Sequence, residues 1–89
     1  PPGHVHGGVA ALILDHVLGE AASRDRQPRF TGTITMRYLR PTKLGALRTA
    51  AISTGTEGVK TYCRGHIADA EGITVQAEGV FITPRWLRD

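Results

Sequence analysis

His4-Val5-His6-Gly7-Gly8-Val9-Ala10-Ala11-Leu12-Ile13-Leu14-Asp15-His16-Val17-Leu18-Gly19-Glu20-Ala21-Ala22 is the stretch that decides the fold. Two glycines open an apolar run long enough for about four helical turns. Apolar side chains stand on almost every side of such a helix, which predicts burial all round rather than a one-faced surface helix. Asp15 interrupts the middle of this run. Aspartate is a poor helix former and is rarely buried without a partner. A carboxylate in that place calls for a partner, a shifted pKa or a chemical role.

Outward from the helix the pattern changes. Pro1 to His6 reads as an incoming loop, and Ser23 to Pro28 as a polar loop ended by proline. From Phe30 the period becomes two. Phe30, Gly32, Ile34, Met36 and Tyr38 alternate with Thr31, Thr33, Thr35 and Arg37, a strand rich in β-branched residues. Pro41 to Gly45 makes a turn, Leu47 to Ser53 a second strand, and Thr54 to Gly58 a second turn. Val59 to Ala68 is a third strand, with Val59, Thr61, Cys63, Gly65 and Ile67 on one face. Asp69 to Gly72 is a tight hairpin, and Ile73 to Thr83 a fourth strand with Val75, Ala77, Gly79 and Phe81 on one face. A helix followed by strands on short loops predicts an α+β fold in which successive strands are antiparallel neighbours.

The chain has 89 residues, enough for a single domain spanning 1–89. A domain of that size is marginal alone. A helix apolar on all sides then needs cover from a second copy or from sequence upstream. The formal charge is +3 and the isoelectric point about 9.6. Its cations are scattered, a pattern that suits an anionic ligand better than a nucleic acid. The single cysteine, Cys63, excludes an intramolecular disulfide and falls mid-strand with no activating base in view. No apolar segment reaches the length of a membrane span and no signal peptide is visible, so no membrane span and a cytoplasmic location are expected.

Four features are candidates for chemistry. Gly7 and Gly8 would present free N–H groups at the positive end of the helix dipole, where negative charge is favoured; equally, they could be a tight turn. Asp15 is either a general base or a polar residue satisfied by a neighbouring hydroxyl. His4 and His6 could begin a metal site, but zinc wants three or four ligands and His16 and His66 are isolated; a loop histidine capping the helix is the better reading, and no metal is expected. Among Arg37, Arg40, Lys43, Arg48, Lys60 and Arg64, some could grip phosphates and most would be solvated. There is no Gly-x-Ser-x-Gly elbow, P-loop or dinucleotide fingerprint.

His6-Gly7-Gly8, then Leu14-Asp15, then Tyr38-Leu39-Arg40-Pro41 and Gly45, resemble the hotdog-fold acyl-CoA thioesterases, in particular the PaaI-like branch and the mammalian THEM proteins. The match runs from about His4 to Ile82. The resemblance implies a central helix wrapped by a curved antiparallel sheet. It implies a homodimer joined through the strand Phe30 to Leu39, often a dimer of dimers. It places the catalytic acid at Asp15, a water-holding hydroxyl at Thr31, and the carbonyl-polarising N–H at Gly7 beside His6. Members usually carry a strand before the His-Gly-Gly loop, which this sequence does not display, so an N-terminally incomplete domain is expected.

The implied reaction is hydrolysis of an acyl-CoA thioester without cofactor. Asp15 activates water, Thr31 orients it, Gly7 holds the oxyanion, and Gly8 adds to the substrate-binding helix start. Direct attack by Asp15 to give an anhydride is the other route. Arg40 and Lys43 are the expected CoA-phosphate residues. Two other hotdog roles remain open: acyl-CoA binding without hydrolysis, and a hydratase or dehydratase. The latter would want an Asp/His pair, whereas His16 projects to a different helix face from Asp15.

Overall fold

The structure, a computed structural model, describes residues 2–87. It contains a helix α1 (Gly7–Ala22) and four strands, β1 (Phe30–Tyr38), β2 (Arg48–Glu57), β3 (Lys60–Asp69) and β4 (Gly72–Ile82), followed by a 3-10 turn at Arg85–Leu87. This is the expected α+β arrangement of one helix on a four-stranded antiparallel sheet.

The helix starts where His6 stays extended (φ −64°, ψ 140°) and its ring accepts from the N–H of Gly8. It stops at Ala22, where the Ser23 N–H closes onto Gly19 O and Glu20 O. The Arg29 guanidinium then donates to Ala22 O at 2.8 Å, so a cation meets the negative end of the dipole. Ala10, Leu14, Leu18, Ala21 and Ala22 form the buried stripe. Among the described residues the burial is one-sided, with Val9 48% and Leu12 73% exposed. One sheet covers one side of a helix, and the open side is the one for which a second copy or upstream residues are expected.

Strand order is β1-β4-β3-β2. The expectation that successive strands are neighbours therefore fails once, because β1 pairs with β4 and lies at the opposite edge from β2. The link over residues 39–47 is no hairpin; it crosses the end of the β3–β4 hairpin. The β2 boundary also moves. Residues read as a turn from Thr54 continue the strand to Glu57, with a register shift between Ser53 and Gly55. An exposed edge strand tolerates such polar residues, and only Gly58-Val59 turn the chain.

The inner face is as expected. Cys63 and Ile67 on β3, and Val75, Ala77 and Phe81 on β4, are buried with Leu14 and Leu18. Leu18 is fully buried against Gly65 and Gly79. A Cβ on Gly65 would lie 2.6 Å from Ala50 O and 3.2 Å from Leu18 Cδ2, so glycine there lets β2 and α1 approach β3. Among the described residues, no helix is long and apolar enough to cross a membrane. Gly65→Ala should destabilise the fold by about 1–3 kcal/mol through overpacking, read from the denaturant midpoint. An unchanged midpoint would mean that β2 moves aside at no cost.

Candidate active site

The site begins with the bond that ties α1 to β1. Thr31 Oγ1 donates to Asp15 Oδ1 at 2.8 Å. Strict alternation would put Thr31 on the face opposite Ile34, Met36 and Tyr38. Yet Thr31 reaches the helix, Ile34 and Met36 pack on the core, and the Tyr38 hydroxyl donates to Gly7 O at 3.0 Å. A bulge reconciles these contacts. Thr31 pairs with Phe81 and Thr33 with Val80, so Gly32 is an extra residue and the alternation restarts after it. A Cβ on Gly32 would lie 3.0 Å from Val80 O and 3.0 Å from Ile82 Cγ1. The residue that re-aims Thr31 is thus one whose side chain has no room.

Asp15 is half-buried. The Thr31 hydroxyl is the hydrogen-bond donor given to it among the described residues. A carboxylate with one donor keeps lone pairs for a water. His16, its sequence neighbour, turns outward and meets Glu20 at 3.0 Å with both side chains exposed.

At the helix start, Gly8 N–H donates to His6 Nδ1 at 2.9 Å. That contact requires an unprotonated Nδ1, which in the neutral ring leaves the proton on Nε2. The Gly8 N–H is thus satisfied by the capping ring. The Gly7 N–H has no acceptor among the described residues, and the residue is exposed. It is the free donor at the positive end of the dipole. Eight residues separate Gly7 from Asp15, about 12 Å along the axis. One carbonyl cannot touch both within a single chain.

The expected phosphate cations are otherwise engaged. Arg40 makes a two-pronged bond to Asp69 at 2.7 and 2.8 Å and donates to Gly72 O at 3.1 Å. Lys43 Nζ meets Glu71 at 3.0 Å. Acidic residues of the β3–β4 turn thus pair with both of the cations expected to meet CoA phosphates. The Arg40 guanidinium, with help from the Lys43 and Glu71 N–H groups, holds the Asp69 carboxyl far below the usual carboxylate range. Arg37 and Arg64 instead line a groove of about 570 Å³ on the outer sheet face with Thr35, His66, Gln76 and Glu78, away from Asp15. Cys63 is buried, and burial pushes its thiol up, away from the reactive thiolate. His4 Nδ1 lies 3.2 Å from Pro2 O. No three His, Cys, Asp or Glu side chains among the described residues stand close enough to hold a metal ion.

Sequence reasoning missed Asp69 and the Tyr38–Gly7 contact. Nothing in the spacing of Arg40 and Asp69 announces their pairing. The tyrosine lay inside the motif that carried the resemblance, but had no role assigned to it.

The thioesterase superfamily model matches residues 2–76 of the chain. No curated protein matches it. Among solved structures, the chain is similar to a thioesterase superfamily protein at 43% identity and TM-score 0.84, over 92% of this chain and 41% of that one. It is similar to a Bacillus halodurans protein solved with CoA at 25% identity and TM-score 0.81, over 89% and 58% of the two chains. A phenylacetic acid degradation-related protein of Ralstonia eutropha JMP134 shares the fold at 22% identity and TM-score 0.84, over 93% and 65%. The chain thus spans between 41% and 65% of the length of these three proteins.

If His6 acts as the helix cap, His6→Ala should cost about 0.5–2 kcal/mol of stability, and His6→Asn, a strong capping residue, should recover most of it. Denaturant unfolding of the two variants measures this. Equal loss in both would remove the cap from the stability of α1.

Proposed function

The chain belongs to the thioesterase superfamily, and from that premise we propose that it hydrolyses acyl-CoA thioesters at a site shared between two copies of the chain. The observation that carries the reading is the Thr31–Asp15 hydrogen bond, which leaves a half-buried carboxylate with capacity to take a proton. The solved relative that holds CoA supports the substrate class.

In the proposed reaction, Asp15 accepts a proton from water as the water oxygen attacks the thioester carbonyl carbon. Thr31 has its own proton committed to Asp15, so its oxygen lone pairs can accept from the same water and fix its direction. Negative charge builds on the carbonyl oxygen, and the Gly7 N–H at the helix start stabilises it. The C–S bond then breaks, the thiolate leaves, and the proton held by Asp15 is available to it. These steps use only residues named above and need no cofactor. The outward turn of His16 toward Glu20 argues against a hydratase that pairs Asp15 with a histidine.

The shared site answers the 12 Å problem. We infer that a second copy, docked beside β1, brings its Gly7 to the Asp15 and Thr31 of the first, as a two-fold axis allows. Among the described residues, the β1 edge has no strand on its outer side. Val9, Leu12 and Phe30, near that edge in sequence or on the open helix face, are exposed.

Asp15→Asn keeps the shape without the base and should lower kcat on the order of 10²–10⁴-fold. Thr31→Val removes one water contact and should cost less. Thiol release from a panel of acyl-CoA substrates, using the full-length protein, reads both. An Asn variant within a few-fold of wild type would take Asp15 out of the mechanism.

Sharing is tested by mixing two inactive variants. Gly7→Pro removes the N–H at a position where proline is tolerated, because His6 before it is already extended. Each mixed dimer with Asp15→Asn holds one site with both defects and one with neither. About half the dimers are mixed after random exchange, so roughly a quarter of wild-type activity should return. No recovery, with exchange demonstrated, sinks the shared site.

A further inference from the structure

The helix start that presents Gly7 is held from outside. Val5 N–H donates to Thr42 O at 2.8 Å and Leu44 N–H to Gly3 O at 2.8 Å, so residues 3–5 lie as a short strand against residues 42–44. Tyr38 fixes Gly7 O from the other side. Two of these three contacts rest on the 42–44 segment, and nothing regular supports that segment, which belongs to the long crossing link. Its support is Asp69. This carboxylate, only 2% exposed, accepts from the Lys43 N–H at 3.1 Å, from both arms of Arg40, and from the Glu71 N–H at 2.9 Å. Thr42 and Thr74 add a buried hydroxyl contact of 2.6 Å.

We propose that Asp69 is a positioning residue: through Arg40 and Lys43 it fixes the 42–44 segment, and through that segment it sets where the Gly7 N–H points. The chain of contacts is continuous, from the β3–β4 turn to residue 43, to residues 3–5, to the helix start. Arg40 accordingly serves the geometry of the site rather than the grip on CoA. The proposal rests on the thioesterase reading of Gly7, since only there does the direction of that N–H have a consequence for rate. A carbonyl oxygen must sit within hydrogen-bond reach of the donor as charge develops on it. A displacement of about 1 Å at such a group can cost on the order of a hundredfold.

Asp69→Asn in the full-length protein is the test, with two readouts. Amide hydrogen exchange should quicken about tenfold or more at Val5 and Leu44, while Leu14 and Leu18 in the helix keep wild-type rates. Turnover of acyl-CoA should fall about tenfold or more with KM within about twofold, the pattern of a group felt mainly in the transition state. Arg40→Lys, which keeps the charge and loses the two-pronged geometry, should move both readouts in the same direction by less; it also serves if the Asn variant does not fold. Exchange that quickens equally everywhere would reduce Asp69 to general stability and overturn the proposal. So would unchanged exchange at Val5 and Leu44, or an Arg40→Lys KM that rises for acyl-CoA but not for a short thioester lacking the nucleotide. If the wild-type protein hydrolyses no thioester, the functional reading falls, and the local exchange pattern still decides whether Asp69 holds the segment.

Discussion

The contact of Leu18 with the glycine-lined surface of β3 and β4 sets the depth at which α1 lies on the sheet. Neither Gly65 nor Gly79 has a Cβ to hold the helix off, and a Cβ on either would crowd Leu18 or its surroundings. Burying a leucine in full contributes about 1.5–3 kcal/mol. Its larger effect is geometric. Asp15 lies a little under one turn before Leu18, so the seating of Leu18 also fixes the height of the carboxylate over the β1 edge. The Thr31 hydroxyl meets it there at 2.8 Å.

Three aspartates show how partners divide structural from chemical roles. Asp25 is held at about 2 by its two-pronged bond to Arg29, together with the Gln27 N–H. Asp69 receives four hydrogen bonds and is held lower still by Arg40. A carboxylate so supplied with donors is stabilised in its charged form and is a poor proton acceptor. Among the described residues, Asp15 has one neutral donor, the Thr31 hydroxyl. Of the three, it is the one whose donor is neutral, which suits the role of general base proposed for it.

The helix and the inner faces of β3 and β4 were legible because burial writes itself into composition and period. Leu14, Leu18, Cys63, Ile67, Val75 and Phe81 stand where the pattern puts them. Strand order was not legible, since residues 39–47 form a loop of a length equally suited to a hairpin or to a crossing. What sets the order is the pairing of β1 with β4, and the Arg40–Asp69 pair ties the crossing link to the end of β3; both join residues far apart in sequence. The partner of Arg40 was illegible for the same reason: the guanidinium and its carboxylate meet only once the chain folds. The side of β1 on which Thr31 lies was illegible for another reason. One bulge residue reverses the alternation, and Gly32 reads from sequence as an ordinary member of the strand. The resemblance put Thr31 beside Asp15 while the period put it opposite, and only the bulge makes both readings compatible.

The open groups of the single chain are mutually consistent under the proposed dimer. An unpaired donor at Gly7 costs little in water, and so does the free edge of β1. Leu12, at 73% exposure, is less easily left alone on a helix so rich in apolar residues. An acceptor for Gly7, a strand for β1 and cover for Leu12 are three separate demands. Within the described residues they are not met, because the sheet is already committed to the other side of α1. A second copy related by a two-fold axis can meet all three with one contact, since each surface supplied is also a surface required. Function then follows from the same geometry. In the proposed reaction the water-activating pair Asp15 and Thr31 comes from one copy and the oxyanion donor Gly7 from the other, so turnover depends on the contact that brings the two together.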